Sequence, residues 1–166
     1  MKKTSQQGNN VRIIRATNLL RSKIGTGKIS PEVIQECQKV IEENDIDFSP
    51  LAREFLDSLA QTIRRTRSRE ISEQQAVERM AGCVMQLKAN AAVFHYRLVG
   101  NLAQVMLGFL ESLTHIDDNA LEIVDAHHKT LNAIIAKQMK GDGGQHGQEL
   151  QQELIRACER YKRNTG

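Results

Sequence analysis

Proline and aromatic side chains are scarce in this 166-residue chain, which has 2 prolines, no tryptophan and an aromatic content of 4%. Beside abundant Ala, Gln, Glu, Arg and Leu, that scarcity weighs against strands and favours helix. No apolar run approaches the roughly 18 residues that a membrane span needs, so no transmembrane segment is expected. A secretory signal is not evident either. Lys2 and Lys3 are followed by the polar run Thr4–Asn10 rather than by an apolar stretch. Cysteine is sparse and odd in number: Cys37, Cys83 and Cys158 lie far apart and read as reduced thiols on or near packed helix faces. Together these absences point to the cytoplasm.

What is present suits a folded domain. The chain is 40% hydrophobic and 26% charged, which argues against wholesale disorder. Its length favours one domain with a real core. The net charge of +3 is unevenly placed. Residues 1–28 carry Lys2, Lys3, Arg12, Arg15, Arg21, Lys23 and Lys28 and no acid, which leaves the remainder mildly acidic. The expected organisation is therefore a basic N-terminal arm, 1–28, followed by a helical bundle domain, 29–166. Ile13, Ile14, Thr17, Leu20 and Ile24 could form one face if the arm becomes helical on contact.

Punctuation divides the bundle region. Ser30-Pro31 and Ser49-Pro50 each read as a helix start with proline in the first turn. The first is followed by Val33, Ile34, Cys37, Val40 and Ile41, and Asn44-Asp45 closes that helix. The second leads into Leu51, Phe55, Leu56, Leu59 and Ile63. Ser72 and Gln75 have capping-box spacing. From there Val77, Met80, Val84, Leu87, Ala91, Phe94 and Leu98 step by threes and fours, and Leu102, Val105, Phe109 and Leu113 carry the stripe on. The spacing predicts a single helix over 73–113, bent if anywhere at Gly82, Gly100 or Gly108. Asp117 starts another helix, with Leu121, Val124, His128, Leu131 and Ile135 inward. Gly141 ends it, 142–147 is a loop, and Leu150, Leu154, Cys158 and Tyr161 mark the last helix.

The expected fold is all-α: an antiparallel bundle of about four main helices plus short N-terminal helices, with one main helix very long. Such a helix would overhang its partners and expose part of its stripe, which predicts a homodimer or a kink.

Several patterns suggest chemistry and then fail on their spacing. Gly25-Thr26-Gly27-Lys28-Ile29-Ser30 lacks the first glycine of a phosphate loop and places its serine one residue late, so it reads as a turn. His127 and His128 are adjacent and point about 100° apart, which makes no shared metal site. Asp125 with His128, and Glu111 with His115, each lack further ligands. No metal and no cofactor is expected. His127 or His128, beside Lys129, could serve a histidine phosphotransfer module, but a phosphorylatable histidine must be exposed. Arg64, Arg65, Arg67 and Arg69 crowd one helix end, where cations offset the dipole. With no aromatic nearby to stack bases, nucleic acid or an anionic surface remains a minor candidate partner, reached chiefly through the basic arm.

One segment carries a sharper signal. In Phe55-Leu56-Asp57-Ser58-Leu59-Ala60-Gln61-Thr62-Ile63, Phe55, Leu59 and Ile63 share the apolar stripe. Asp57 and Gln61, one turn apart, stand on roughly the opposite face. This Phe-x-Asp-x-x-x-Gln-x-Ile pattern resembles the active helix of chemotaxis phosphatases of the CheZ type, which are dimeric helical bundles that dephosphorylate a response regulator. The resemblance spans nine of the 166 residues. It implies that Asp57 engages a lysine of the regulator while the Gln61 amide orients water for attack on the aspartyl phosphate. The basic C-terminal Arg160, Lys162 and Arg163 depart from the acidic regulator-binding tail of such phosphatases.

The leading expectation is a non-catalytic signalling or assembly protein that presents helix faces to a protein partner and to a second copy of itself. The alternative is the Asp57/Gln61 phosphatase, whose partner would be a response regulator. A histidine phosphotransfer module comes third.

Overall fold

A computed structural model of the chain describes residues 29–43 and 46–165. The basic arm 1–28, the glycine turn at Gly25–Lys28 and the Asn44-Asp45 stop lie outside the described residues. The chain divides into two units between Lys39 and Val40. Helix α1, Pro31–Glu42, crosses the boundary between them. Ser30 caps it as its sequence suggests, its Oγ accepting the Val33 N–H at 3.3 Å. No residue of α1 is buried.

The second unit holds five further helices: α2 (Ser49–Arg67), α3 (Glu73–Ala91), α4 (Arg97–Glu111), α5 (Asp118–Ala136) and α6 (Gly144–Thr165). The described residues contain no strand. The fold is the expected all-α bundle. Each of these helices packs on the next in the chain; α2 also closes on α5, and α6 also packs on α4. Side chains recurring at three- and four-residue steps fill the interior, among them Leu56, Leu59, Met80, Leu87, Leu102, Met106, Leu110 and Leu131. Helix α6 docks through Leu154, Cys158 and Tyr161, whose ring meets Phe109 edge-on at 5.5 Å.

Local signals explain most helix starts. Ser72 and Gln75 form the reciprocal capping box of α3. Asp117 Oδ1 accepts the Ala120 N–H at 2.7 Å and starts α5. Ser49 departs from its expected role as a cap. Asp47 Oδ1 takes the Ser49 N–H at 2.9 Å, Phe48 occupies the cap position, and the Ser49 hydroxyl is buried without a partner. Glycines 144 and 147, expected in a loop, belong to the first turn of α6.

The single long helix over 73–113 is not what forms. Its stripe is divided between α3 and α4, which fold back against each other across residues 92–96. The break sits at none of the three glycines. His95 takes up a left-handed conformation (φ 65°), and the Tyr96 N–H reaches back to the Ala91 carbonyl at 2.8 Å. These are the marks of a Schellman stop with histidine where glycine is usual. The corner is then pinned from outside. The Gly141 carbonyl accepts the Leu98 N–H at 2.8 Å, and the Gly141 N–H donates to the His95 carbonyl at 2.6 Å. Phe48 stacks on Phe94, ring centroids 4.9 Å apart, and lies against Tyr96. Because the halves of the stripe cover one another and the other helices, the overhang that predicted a homodimer does not arise.

Candidate functional site

Helix α2 turns Ala52, Leu56, Leu59, Ile63 and Thr66 into the core, so the positions half a turn away face water. Asp57 and Gln61 are both exposed, one helical turn apart. Their neighbours differ. On one side Asp57 faces α5, where its carboxylate acts on His128. On the other side Gln61 borders a groove between α2 and α3, walled by Phe55, Ser58, Thr62 and Arg65 from α2 and by Arg79, Gly82, Cys83 and Gln86 from α3. The groove continues past Gln61 to Arg64, Ser68 and Glu70. Arg65 Nε pairs with Glu70 Oε2 at 3.4 Å. The sequence pattern singles out Asp57, Gln61 and the arginine run. It gives no sign of Arg79, Cys83 or Gln86, which only tertiary packing brings beside them.

The two histidines exchange the roles read from the sequence. His127, expected on the flank, is fully buried; its Nδ1–H donates to the Ile123 carbonyl at 2.9 Å and its Nε2 has no partner. Burial holds its pKa below the ordinary value and keeps the ring neutral. His128 is half-buried, and burial lowers its pKa too. The Asp125 carboxylate, the Leu56 backbone and Asp57 oppose that shift, while Lys129 adds to it. Lys129 itself pairs with Asp125 at 2.7 Å. A phosphoryl donor cannot reach His127, so the exposure that a phosphotransfer histidine needs is missing there.

Among the described residues no group of three or more His, Cys, Asp or Glu is arranged to hold a metal ion. The three cysteines are free; Cys37 is exposed and Cys83 half-buried. Burial pushes the Cys158 thiol up to about 11, so it stays protonated in the core. No described helix is long and apolar enough to cross a membrane. Comparison with family models, curated proteins and solved structures finds no match.

Proposed function

We propose that this chain is a non-catalytic helical signalling or assembly protein of the cytoplasm that works by docking the apolar face of α1 on a protein partner. The observation that carries this reading is the exposure of that face. Val33, Ile34, Val40 and Ile41 are 48%, 53%, 73% and 49% exposed, whereas every helix from α2 to α6 buries residues in the core. A 12-residue helix is marginal by itself in water, so α1 gains order by docking. Glu32 in its first turn and Lys39 in its last offset the helix dipole.

The test uses Cys37, which is exposed within the same apolar spacing. A photo-crosslinker placed there should trap the partner. Val33→Asp with Ile41→Asp should lower capture at least about tenfold, because each side chain loses the burial free energy of an interface position. The unfolding midpoint of the bundle should stay unchanged. Unaltered capture by the double variant would remove α1 from the interface. Light scattering adds the identity of the occupant: a mass of 18.7 kDa leaves the face for a different protein, and twice that mass, falling back to 18.7 kDa in the double variant, gives it to a second copy.

A second reading, the response-regulator phosphatase, draws support from one observation. Asp57 and Gln61 are exposed together, as a site reached by a receiver domain requires. In this chemistry Asp57 contacts the regulator's lysine, and the Gln61 amide positions the attacking water; positioning supplies much of the acceleration of phosphoryl transfer. Gln61→Ala should then slow loss of phosphate from a phosphorylated receiver domain about 100-fold. Its stability should change by no more than about 0.5 kcal/mol, as for other surface positions. A phosphate lifetime indifferent to both wild type and variant would leave the interaction reading alone.

A further inference from the structure

The groove between α2 and α3 has a lining that the interaction reading does not use. Arg65 and Arg79 stand on opposite walls, Gln61 and Gln86 bring side-chain amides, and neither Asp nor Glu lines this stretch. Glu70 lies in the adjoining stretch and pairs with Arg65 through Nε. Gly82 leaves the α3 wall open, for a Cβ there would meet nothing within 4 Å.

The two arginines need separate accounts. Arg64, Arg65 and Arg67 occupy the last turn of α2, where cations offset the helix dipole. Arg79 sits in the interior of α3 and has no such reason. The residues three and four positions away from it are Gln75, Ala76, Gly82 and Cys83, so its own helix offers no acid. No ion pair to Arg79 occurs among the described residues. Arg79 is exposed and Arg65 partly so, and with side-chain amides between them and no acid lining the groove their guanidinium donors are open to an anion. Planar guanidinium groups with amide donors are the set that recognises a phosphate oxyanion.

We propose that the α2–α3 groove is a binding site for a phosphate-type oxyanion, held between Arg65 and Arg79 beside the Gln61 amide. The site stands whether or not α1 docks a partner and whether or not Gln61 directs water. The anion is either free phosphate or a phosphoryl group carried on a larger molecule. Phe55, half-buried at the rim, offers an apolar surface to the organic part of the latter.

Two-dimensional amide NMR of the full chain tests this at constant ionic strength, with inorganic phosphate and phenyl phosphate titrated in parallel. Saturable shifts should be confined to residues 58–65 and 79–86. Arg79→Ala or Arg65→Ala should weaken binding about tenfold, as expected for a hydrogen bond between charged groups. Arg156→Ala, which removes an exposed arginine paired with Glu153 on α6, should leave binding unchanged. Tighter binding of phenyl phosphate identifies a carried phosphoryl group, and equal binding identifies the free ion. Gln61→Ala keeps the binding dependent on Arg79 even where it removes phosphatase activity, so the two readings fail separately. Non-saturating shifts spread over all exposed arginines, or an Arg79→Ala variant that binds like wild type, overturn the site.

Discussion

Gly147→Ala should destabilise the bundle by about 3 kcal/mol, the upper part of the range for overpacking a rigid site. Gly147 is buried in the first turn of α6. A Cβ added there would overlap the Asp142 carbonyl oxygen, lie 3.1 Å from the Asp142 carbonyl carbon and crowd a Leu98 methyl at 3.3 Å. Backbone, unlike the end of a flexible side chain, cannot swing aside. It is also tethered: Gly141 is bonded to His95 and Leu98, and Gly143 sits at φ 74° with the other Leu98 methyl close by. Relief would have to open the link between α5 and α6 or lift that link off the α3–α4 corner. A loss of about 3 kcal/mol lowers the folded-to-unfolded ratio roughly 100-fold and shows directly in the urea midpoint. The natural control is Gly108→Ala in α4, where an added Cβ meets nothing within 4 Å. That change should stabilise by about 0.5–1 kcal/mol through helix propensity. A Gly147→Ala midpoint equal to wild type would mean that the link moves freely.

The same corner shows where sequence reading reaches its limit. Starts were legible because their signals are side chains: the Ser72/Gln75 box and the Asp117 cap each act within three residues. Stops were not. Helices α2, α3 and α5 end with left-handed residues Arg69, His95 and Gln138, and in each case the next N–H reaches back five residues. Glycine normally advertises this geometry, since a Cβ disfavours it. Here three non-glycine residues adopt it, His95 with the Gly141 hydrogen bonds to hold it, so the run from Val77 to Leu113 keeps its apolar rhythm through a reversal of direction. The reversal also cancels the argument for a dimer that the uninterrupted stripe had supplied.

Periodicity likewise placed His128 inward, whereas His127 is the buried one. Buried positions on α5 include Ala120, Leu121, Val124, His127, Leu131, Ile134 and Ile135. This stripe is wide enough to take either of two adjacent polar residues. The site divides in the same way. Asp57 and Gln61 lie one turn apart on one helix, so their shared exposure follows from local geometry. Arg79 and Gln86 meet Gln61 only because α3 packs on α2, and no local pattern reports that.

Acidification should weaken the fold through these histidines before ordinary carboxylates titrate. Both imidazoles have an ordinary value of 6.5, and burial holds both below it in the native state. Between the unfolded and folded values the unfolded chain therefore binds protons that the native chain excludes, so stability falls as the pH falls. The contribution is complete above about pH 7 and drains through the region below 6.5, with a slope of at most about 1.4 kcal/mol per pH unit for each histidine. His127 should dominate, because nothing faces its Nε2 to receive a new proton. The ring of His128 is less buried, and Asp125 and Asp57 help it to charge. Urea midpoints measured at pH 7.5, 6.5 and 5.5 should fall in that order. His127→Leu removes both the proton site and the unpaired nitrogen, so it should stay within about 1 kcal/mol of wild type at pH 7.5. It should also show a shallower acid slope, and the slope that remains belongs to His128. If the wild-type midpoint were flat from pH 7.5 to 5.5, His127 would have to accept a proton inside the core.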